Sequence, residues 1–148
     1  MKQEDKELLL RDLCGRLPYG VKVSYIVDDY EHDVVSIHTQ LKNAVRINGK
    51  RPGSKYDKGP EIVELWTDVK CIKPYLFPLS SMTEEIMDEI YNNTGVYDID
   101  IDSPVHIEVG TTFKDLTKII NILYKHHIDY LGLIPMGLAI DCTNLNIY

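Results

Sequence analysis

The residues best suited to chemistry lie in the stretch YDIDIDSPVHIEVG, which occupies positions 97–110. It places Asp98, Asp100 and Asp102 at alternate positions and follows them with His106. Carboxylate oxygens are the ligands that calcium and magnesium prefer. If the stretch is a strand, the three aspartates share one face and stand roughly 6.6 Å apart along it. Three interpretations are therefore open: an acidic strand face in water, a surface for a basic partner, and a metal loop.

A helix–loop–helix calcium site is disfavoured by the residues that follow these aspartates. Such a loop needs glycine at its sixth position, for a sharp turn, and a bidentate acid at its twelfth. Counting from Asp98, Ser103 and Val109 stand at those positions. We therefore assign no metal ligands and expect no cofactor. A looser site built from the three aspartates with His106 is the basis of one alternative function, a small metal-dependent enzyme.

The histidines and cysteines do not form a recognisable catalytic or zinc-binding set. His126 and His127 are adjacent, so on a helix they diverge by about 100° and cannot form the i, i+4 pair of a helical zinc site. We expect His127 to be hydrogen-bonded and half-buried at a helix end. Cys14, Cys71 and Cys142 are odd in number and far apart, which favours reduced thiols. With no nucleophile elbow, phosphate loop or dinucleotide fingerprint, the sequence favours a non-enzymatic role.

Charge is distributed unevenly along the chain, whose net charge is −7. Between Lys73 and Lys114 there are eight acids and no lysine or arginine. Seven of these acids are the candidates for binding a basic partner: Glu84, Glu85, Asp88, Glu89, Asp98, Asp100 and Asp102. A surface of this charge would steer a basic partner and speed its encounter. The leading prediction is therefore an interaction protein that uses this acidic surface.

A basic turn at residues 42–58 suggests another alternative, contact with nucleic acid. Lysines and arginines gain affinity for phosphates by releasing counterions. The candidates are Arg46, Lys50, Arg51 and Lys55. The acidic charge of the whole chain and the presence of one aromatic residue in the turn, Tyr56, argue against this function. A solvated hairpin tip is the simpler interpretation.

These residues must be positioned by an α+β fold, which we expect to form a single domain over residues 1–148. A stripe of leucines predicts an N-terminal helix over 4–14. Alternating apolar and polar residues between Gly20 and Pro74 predict an antiparallel sheet of three to four strands, which Pro74 and Pro78 would end.

Two further helices and a packed tail complete the predicted fold. Ser81 and Glu84 have the spacing of a capping box for the second helix, and Gly95 is its predicted stop. Thr112 with Asp115 predicts the start of a third helix over 113–127. Its predicted apolar stripe is Phe113, Leu116, Ile120, Leu123 and His127. The apolar tail, broken by glycine and proline, is expected to pack on the core rather than form an exposed patch.

The predicted location is the cytoplasm. The segment MKQEDKELLLRDLCGRL lacks the apolar core and cleavage site of a secretory signal. No apolar run approaches the roughly 20 residues that a membrane span needs.

Three segments carry a resemblance that covers most of the chain: LCGRLPYGVKV, VKCIKPYLFPLSSMTEEI and LYKHHIDYLGLIPMGLAIDCTNLNIY. They resemble a family of short proteins from gut Bacteroides-type bacteria and their phages and mobile elements. That family combines an entry helix, a strand-rich middle, a KPYL-PLSSMT bridge and a terminal D-GLI--GLAID box. The middle loops and the acidic stretch match it least. The resemblance implies an intracellular protein of an accessory system, and it carries over no activity, cofactor or catalytic residue.

Overall fold

The computed structural model describes residues 1–28, 30–38, 44–51, 61–96 and 112–148. The helices and strands in this part of the chain are, in order, α1 Gln3–Arg16, β1 Lys22–Tyr25, β2 Glu31–His38, β3 Ala44–Arg51, β4 Glu61–Asp68, β5 Ile72–Pro78, α2 Glu84–Thr94, α3 Phe113–Lys125, β6 Ile128–Asp129 and β7 Ile140–Asp141. The predicted α+β class and N-terminal helix are confirmed. Among these described helices, none is long and apolar enough to cross a bilayer.

The strands form one mixed sheet in the order β4-β3-β2-β1-β5-β6, with β7 also paired to β5. Neighbours from β4 through β1 to β5 are antiparallel. The short strands β6 and β7 run parallel to β5. The predicted antiparallel sheet of three to four strands is therefore wrong in both size and type.

The sheet extends further than predicted because β5 passes through both prolines that the sequence suggests would end it. Pro74 pairs with Val23 of β1, and Pro78 lies opposite β6. Proline removes only its own N–H from a ladder, so a neighbour can continue the pairing. The Phe77 amide does so by donating to the His127 carbonyl at 3.0 Å. The partners β6 and β7 have two residues each, which is too short for an alternating pattern to reveal.

Two apolar clusters fill the interior. The first joins α1, the sheet and the tail, and includes Leu9, Leu13, Val23, Ile47, Leu76, Leu133, Leu138 and Ala139. The second joins α2, α3 and β6 through Ile86, Ile90, Ile119, Leu123 and Ile128. Because the tail contributes buried residues to the first cluster, the prediction that it packs on the core is confirmed.

The start of α3 follows the sequence prediction, but its buried face does not. The Asp115 amide donates to Thr112 Oγ1 at 3.2 Å, and the Thr112 amide donates to Asp115 Oδ2 at 3.2 Å, which is the predicted capping box. Phe113 is 89% exposed, so the predicted apolar stripe is wrong at its first position. The buried side chains of α3 are Ile119, Ile122, Leu123 and Tyr124. They differ from the stripe because α3 packs against both α2 and α1.

The start of α2 differs from the prediction, whereas its end agrees. Thr83 is the N-cap, and its side chain makes no capping hydrogen bond. Ser81 belongs instead to a preceding 3-10 turn, so the predicted capping box with Glu84 is wrong. At the other end Gly95 has φ +76° and its amide donates to the Tyr91 carbonyl at 2.7 Å, as expected for a glycine stop.

Candidate functional site

Helix α2 carries the four predicted partner-binding residues that lie in the described part of the chain. Glu84 and Glu85 occupy its first turn, and Asp88 and Glu89 follow one turn later. Glu84, Glu85 and Asp88 are exposed. Among the described residues, Glu89 is the member of this set that forms ion pairs. We call Glu84, Glu85 and Asp88 the acidic α2 face, since they fall within roughly 100° of the helix circumference.

Glu89 ties α2 to the end of α3. Lys125 Nζ lies 2.8 Å and 3.0 Å from its two carboxylate oxygens, and His126 Nε2 lies 2.8 Å from Oε2. Hydrogen bonds from Lys125 and then His126 lower the pKa of the Glu89 carboxyl. A second tie runs from Lys118 Nζ to the Asn93 carbonyl at 2.6 Å. The two helices are thus antiparallel neighbours, and the charge of Glu89 is balanced within the chain.

A cleft of about 320 Å³ lies beside the first turn of α2, and we call it the α2 cleft. Its apolar lining is buried or half-buried and consists of Phe77, Ile86 and Ile128. Its polar lining consists of Ser81 and His126, which are half-buried, and of Thr83 and Glu85, which are exposed. Small-molecule and side-chain pockets typically combine an apolar interior with a few polar groups in this way. One member of the acidic α2 face, Glu85, therefore also belongs to a concave site.

The lining comes together because β5 and β6 pair in parallel. That pairing places Phe77 opposite Ile128. After Pro78 the chain turns and reaches Thr83, so the first turn of α2 stands beside the end of β5. His126, the C-cap of α3, lies on the other side because α3 leads into β6 after one further residue.

A buried ion pair on α1 fixes the position of β6. Arg16 and Asp12 are both fully buried, and their side chains meet at 2.7 Å and 2.9 Å. Arg16 Nη2 also donates to the Ile128 carbonyl at 2.8 Å, and the guanidinium lies 5.0 Å from the centre of the Tyr124 ring. Burial raises the pKa of the Asp12 carboxyl, and Arg16 opposes that shift. Arg16 thus holds the Ile128 side of the cleft against α1 and α3.

The adjacent histidines contact different partners, as their spacing predicts. His126 bonds to Glu89, whereas the His127 ring stacks on Tyr148 with 3.8 Å between ring centres. His127 has φ +55°, a left-handed conformation that ends α3 and turns the chain into β6. Burial, followed by the charge of Arg16, lowers the pKa of His127 to about 4, so its ring is neutral at pH 7. It is buried rather than half-buried, and its Nδ1 has no hydrogen-bond partner among the described residues.

The acidic stretch at positions 97–110 lies outside the described residues. Asp98, Asp100, Asp102 and His106 all fall there. Within the described ranges, no group of three or more histidine, cysteine or acidic side chains is arranged to hold a metal ion. The partner surface and the metal-dependent enzyme that involve these aspartates stay predictions.

The basic candidates for nucleic-acid contact are described only in part. Arg46 lies on β3, where its Nη1 is 3.1 Å from Glu64 Oε1 and its guanidinium is 5.8 Å from the centre of the Trp66 ring. Lys50 and Arg51 belong to the same strand, and Lys55 lies outside the described residues. The charge of Arg46 is therefore balanced on the sheet by a neighbouring acid.

The three cysteines are free thiols at different depths: Cys14 is exposed, Cys71 intermediate and Cys142 buried. Burial raises the pKa of the Cys14 thiol and raises that of Cys142 to about 11. A nucleophilic cysteine needs the opposite shift, because the thiolate is the reactive form. Neither environment is suited to covalent catalysis.

Sequence reasoning missed the cleft, although it singled out Glu85 and His126. Phe77 and Ile128 are 51 positions apart in the sequence and meet because β5 pairs with β6. Strand β6 has two residues, which are too few to show an alternating pattern. The run PLSSMTEE indicated a helix start, which is the one local signal near the site. Comparisons of the chain with family models, with curated proteins and with solved structures found no match.

Proposed function

We propose that this chain is a non-enzymatic intracellular interaction protein of a bacterial or phage accessory system, and that its acidic α2 face binds a basic protein partner. The accessory-system context rests on the family resemblance. The contact surface rests on one observation: Glu84, Glu85 and Asp88 are exposed on one helix without an ion-pair partner among the described residues.

Stabilisation of the helix explains an acidic side chain at some of the three positions better than at others. Acids in the first turn stabilise a helix by interacting with the positive end of its dipole, which explains Glu84 and Glu85 in part. Asp88 lies beyond the first turn, where that effect fades. Three like charges close together also repel one another, and a basic partner would relieve this repulsion. The acidic α2 face therefore supports a binding role more than a purely structural one.

Glu89 is left out of the contact surface because the Lys125 ammonium already balances its charge and His126 hydrogen-bonds to it. Asp98, Asp100 and Asp102 stay in the proposal as an extension of the surface, supported by their sequence alone. Charge on such a surface is expected to affect the association rate more than the dissociation rate.

The experiment compares three forms of the tagged protein in capture from nuclease-treated lysate, followed by mass spectrometry. The test variant reverses Glu84, Glu85 and Asp88 to lysine. A matched control reverses Glu4, Glu7 and Asp33, which are also exposed acids and give the same net charge. We expect one basic protein to be enriched by the native and control forms and lost by the test variant.

The captured protein is then purified, and its association rate is measured against all three forms at low and high salt. We expect the native and control forms to associate at rates that fall with salt, and the test variant to associate more slowly. Equal association rates for the test and control variants at low salt would contradict the proposal.

A further inference from the structure

The geometry points to the α2 cleft as a pocket for one arginine side chain of the basic partner. This inference rests on the proposed function, since it names the residue of the partner that the acidic surface would receive. Nucleic acids and membranes are not its ligands, because the phosphates of both are anionic and the unpaired charge at the cleft is a carboxylate.

The lining of the cleft is divided into an apolar part and a polar, partly exposed part. Phe77, Ile86 and Ile128 provide the apolar part, and Glu85 is one of the exposed polar residues. An arginine side chain has the same division, with an apolar stem and a charged planar head. A volume of about 320 Å³ is at the small end of ligand pockets, which suits one side chain rather than a large cofactor.

Ion pairs among the described residues do not fully balance the charge at the cleft. His126 lines the cleft, and it and the adjacent Lys125 both bond to Glu89. Glu85 has no such side-chain partner among the described residues, so the positive end of the α2 dipole balances its charge only in part. A cationic occupant is therefore favoured over a neutral or anionic one.

The cleft suits an arginine side chain better than a lysine side chain. A guanidinium can form two parallel hydrogen bonds to a single carboxylate, whereas an ammonium acts as a point charge. Its plane also packs favourably on aromatic rings, and Phe77 lines the cleft. Thr83 makes no capping hydrogen bond within α2, so its hydroxyl oxygen is available as a further acceptor.

The site is held in place before any ligand arrives. Glu89 joins α2 to the end of α3, and Arg16 holds the Ile128 carbonyl. The cleft lies at the end of the α2–α3 pair where α2 begins, at Thr83, and α3 ends, at His126. Thr94 is at the opposite end of α2. Preorganised sites bind more tightly because less conformational freedom is lost on association.

The test is an NMR titration of isotope-labelled protein with n-butylguanidinium, which has the planar cation and apolar stem of an arginine side chain. We expect saturable amide shifts at the residues lining the cleft. n-Pentanoate has a similar stem with a negative charge, and we expect it to cause none. Saturation by both compounds, or by neither, would overturn the inference.

Two glutamine variants provide a matched comparison. Glu84→Gln and Glu85→Gln remove the same charge from adjacent residues of one helical turn, but only Glu85 lines the cleft. We expect Glu85→Gln to weaken binding of n-butylguanidinium about tenfold and Glu84→Gln to change it less than about twofold. Equal weakening in both would mean diffuse attraction rather than a pocket.

A third variant fills the cleft without changing the charge. Thr83→Trp adds a large side chain at an exposed position whose own side chain caps nothing, and we expect it to abolish the saturable shifts. Amide shifts in the sheet report whether this variant is folded. Unchanged binding in a folded Thr83→Trp protein would rule out the cleft.

The purified partner distinguishes the two proposals. If charge reversal prevents partner binding while both glutamine variants weaken it equally and n-butylguanidinium does not saturate, the pocket is wrong and the interaction role stands. If n-butylguanidinium saturates the cleft but the charge-reversed protein keeps its partner, the proposed function and the partner's arginine are both wrong. Weaker partner binding by Glu85→Gln than by Glu84→Gln supports both.

Discussion

Glu89 and its neighbours on α2 show how one type of side chain serves different purposes within a single helix. Glu89 accepts hydrogen bonds from Lys125 and His126 and joins two helices. Asp88, the preceding residue, is exposed and has no ion-pair partner among the described residues. The difference arises from direction, because adjacent helical residues point about 100° apart. Stability measurements on single variants can therefore distinguish an acid that stabilises the fold, such as Glu89, from one that does not, such as Asp88.

The Glu89 ion pair should stabilise the protein in a pH-dependent way. Its folded-state pKa lies below the ordinary value, so its contribution is complete above the unfolded pKa and disappears as pH falls through the folded pKa. We expect Glu89→Gln to lower the free energy of unfolding by about 0.5–1 kcal/mol at neutral pH and to have a smaller effect near pH 3, which is below the ordinary pKa of a glutamate. Urea denaturation at both pH values measures this.

The matched control for this prediction is Asp88→Asn, which removes the adjacent, unpaired carboxylate. We expect it to change the free energy of unfolding by less than half as much as Glu89→Gln at neutral pH. A loss from Glu89→Gln that is the same at both pH values would show that the ion pair is not the source of the stability.

At the scale of elements, α2 and α3 begin in different ways. Thr112 exchanges hydrogen bonds with Asp115 at the start of α3, whereas the N-cap of α2, Thr83, makes no side-chain bond to its helix. The chain before α2 is held instead by the 3-10 turn that ends at Ser81 and by pairing of β5. The position of α2 therefore depends on the sheet more than on its own cap.

Capping residues should consequently differ in their effect on stability. We expect Thr112→Ala to lower the free energy of unfolding by about 1 kcal/mol, or the melting temperature by roughly 2–4 °C. Ser81→Ala should change it by much less, because Ser81 does not cap α2. Thermal unfolding followed by circular dichroism compares the two. An equal or larger loss from Ser81→Ala would contradict the expected difference between the two residues.

At the scale of the whole molecule, a buried charge pair stands between the two apolar clusters. Arg16 and Asp12 belong to α1, which packs in the first cluster, and Arg16 reaches the Ile128 carbonyl of β6 in the second. Both side chains are fully buried, so removing one leaves the other desolvated without a partner. The pair therefore links the two halves of the interior.

Removing one partner of this ion pair should lower the free energy of unfolding more than replacing both partners with apolar residues. We expect Arg16→Met to lower the free energy of unfolding by about 3–5 kcal/mol, and the double variant Asp12→Leu, Arg16→Met to lose less. Arg11→Met serves as the control, since Arg11 is exposed on the same helix, and should change stability little. Chemical denaturation of the four proteins gives the comparison. A double variant less stable than Arg16→Met would contradict a desolvation cost as the cause.

The sequence by itself determined the features whose signals are local. These are α1, the Thr112–Asp115 start of α3, the Gly95 end of α2 and the apolar character of the tail. Each depends on a periodic pattern or on residues within about four positions of one another, and a short window of sequence contains all of the interacting groups.

The tertiary structure alone decided the mixed sheet and the site. The bond from Arg16 to Ile128 spans 112 positions, and those from Glu89 to Lys125 span 36. The sequence has no local pattern for the two-residue parallel strands, nor for the cleft that β5, α2, α3 and β6 form together. Their stability comes from packing and desolvation between distant segments. Glu85 consequently has no ion-pair partner among the described residues, whereas Glu89 is paired with Lys125. This difference depends on which side chains the fold brings beside each glutamate.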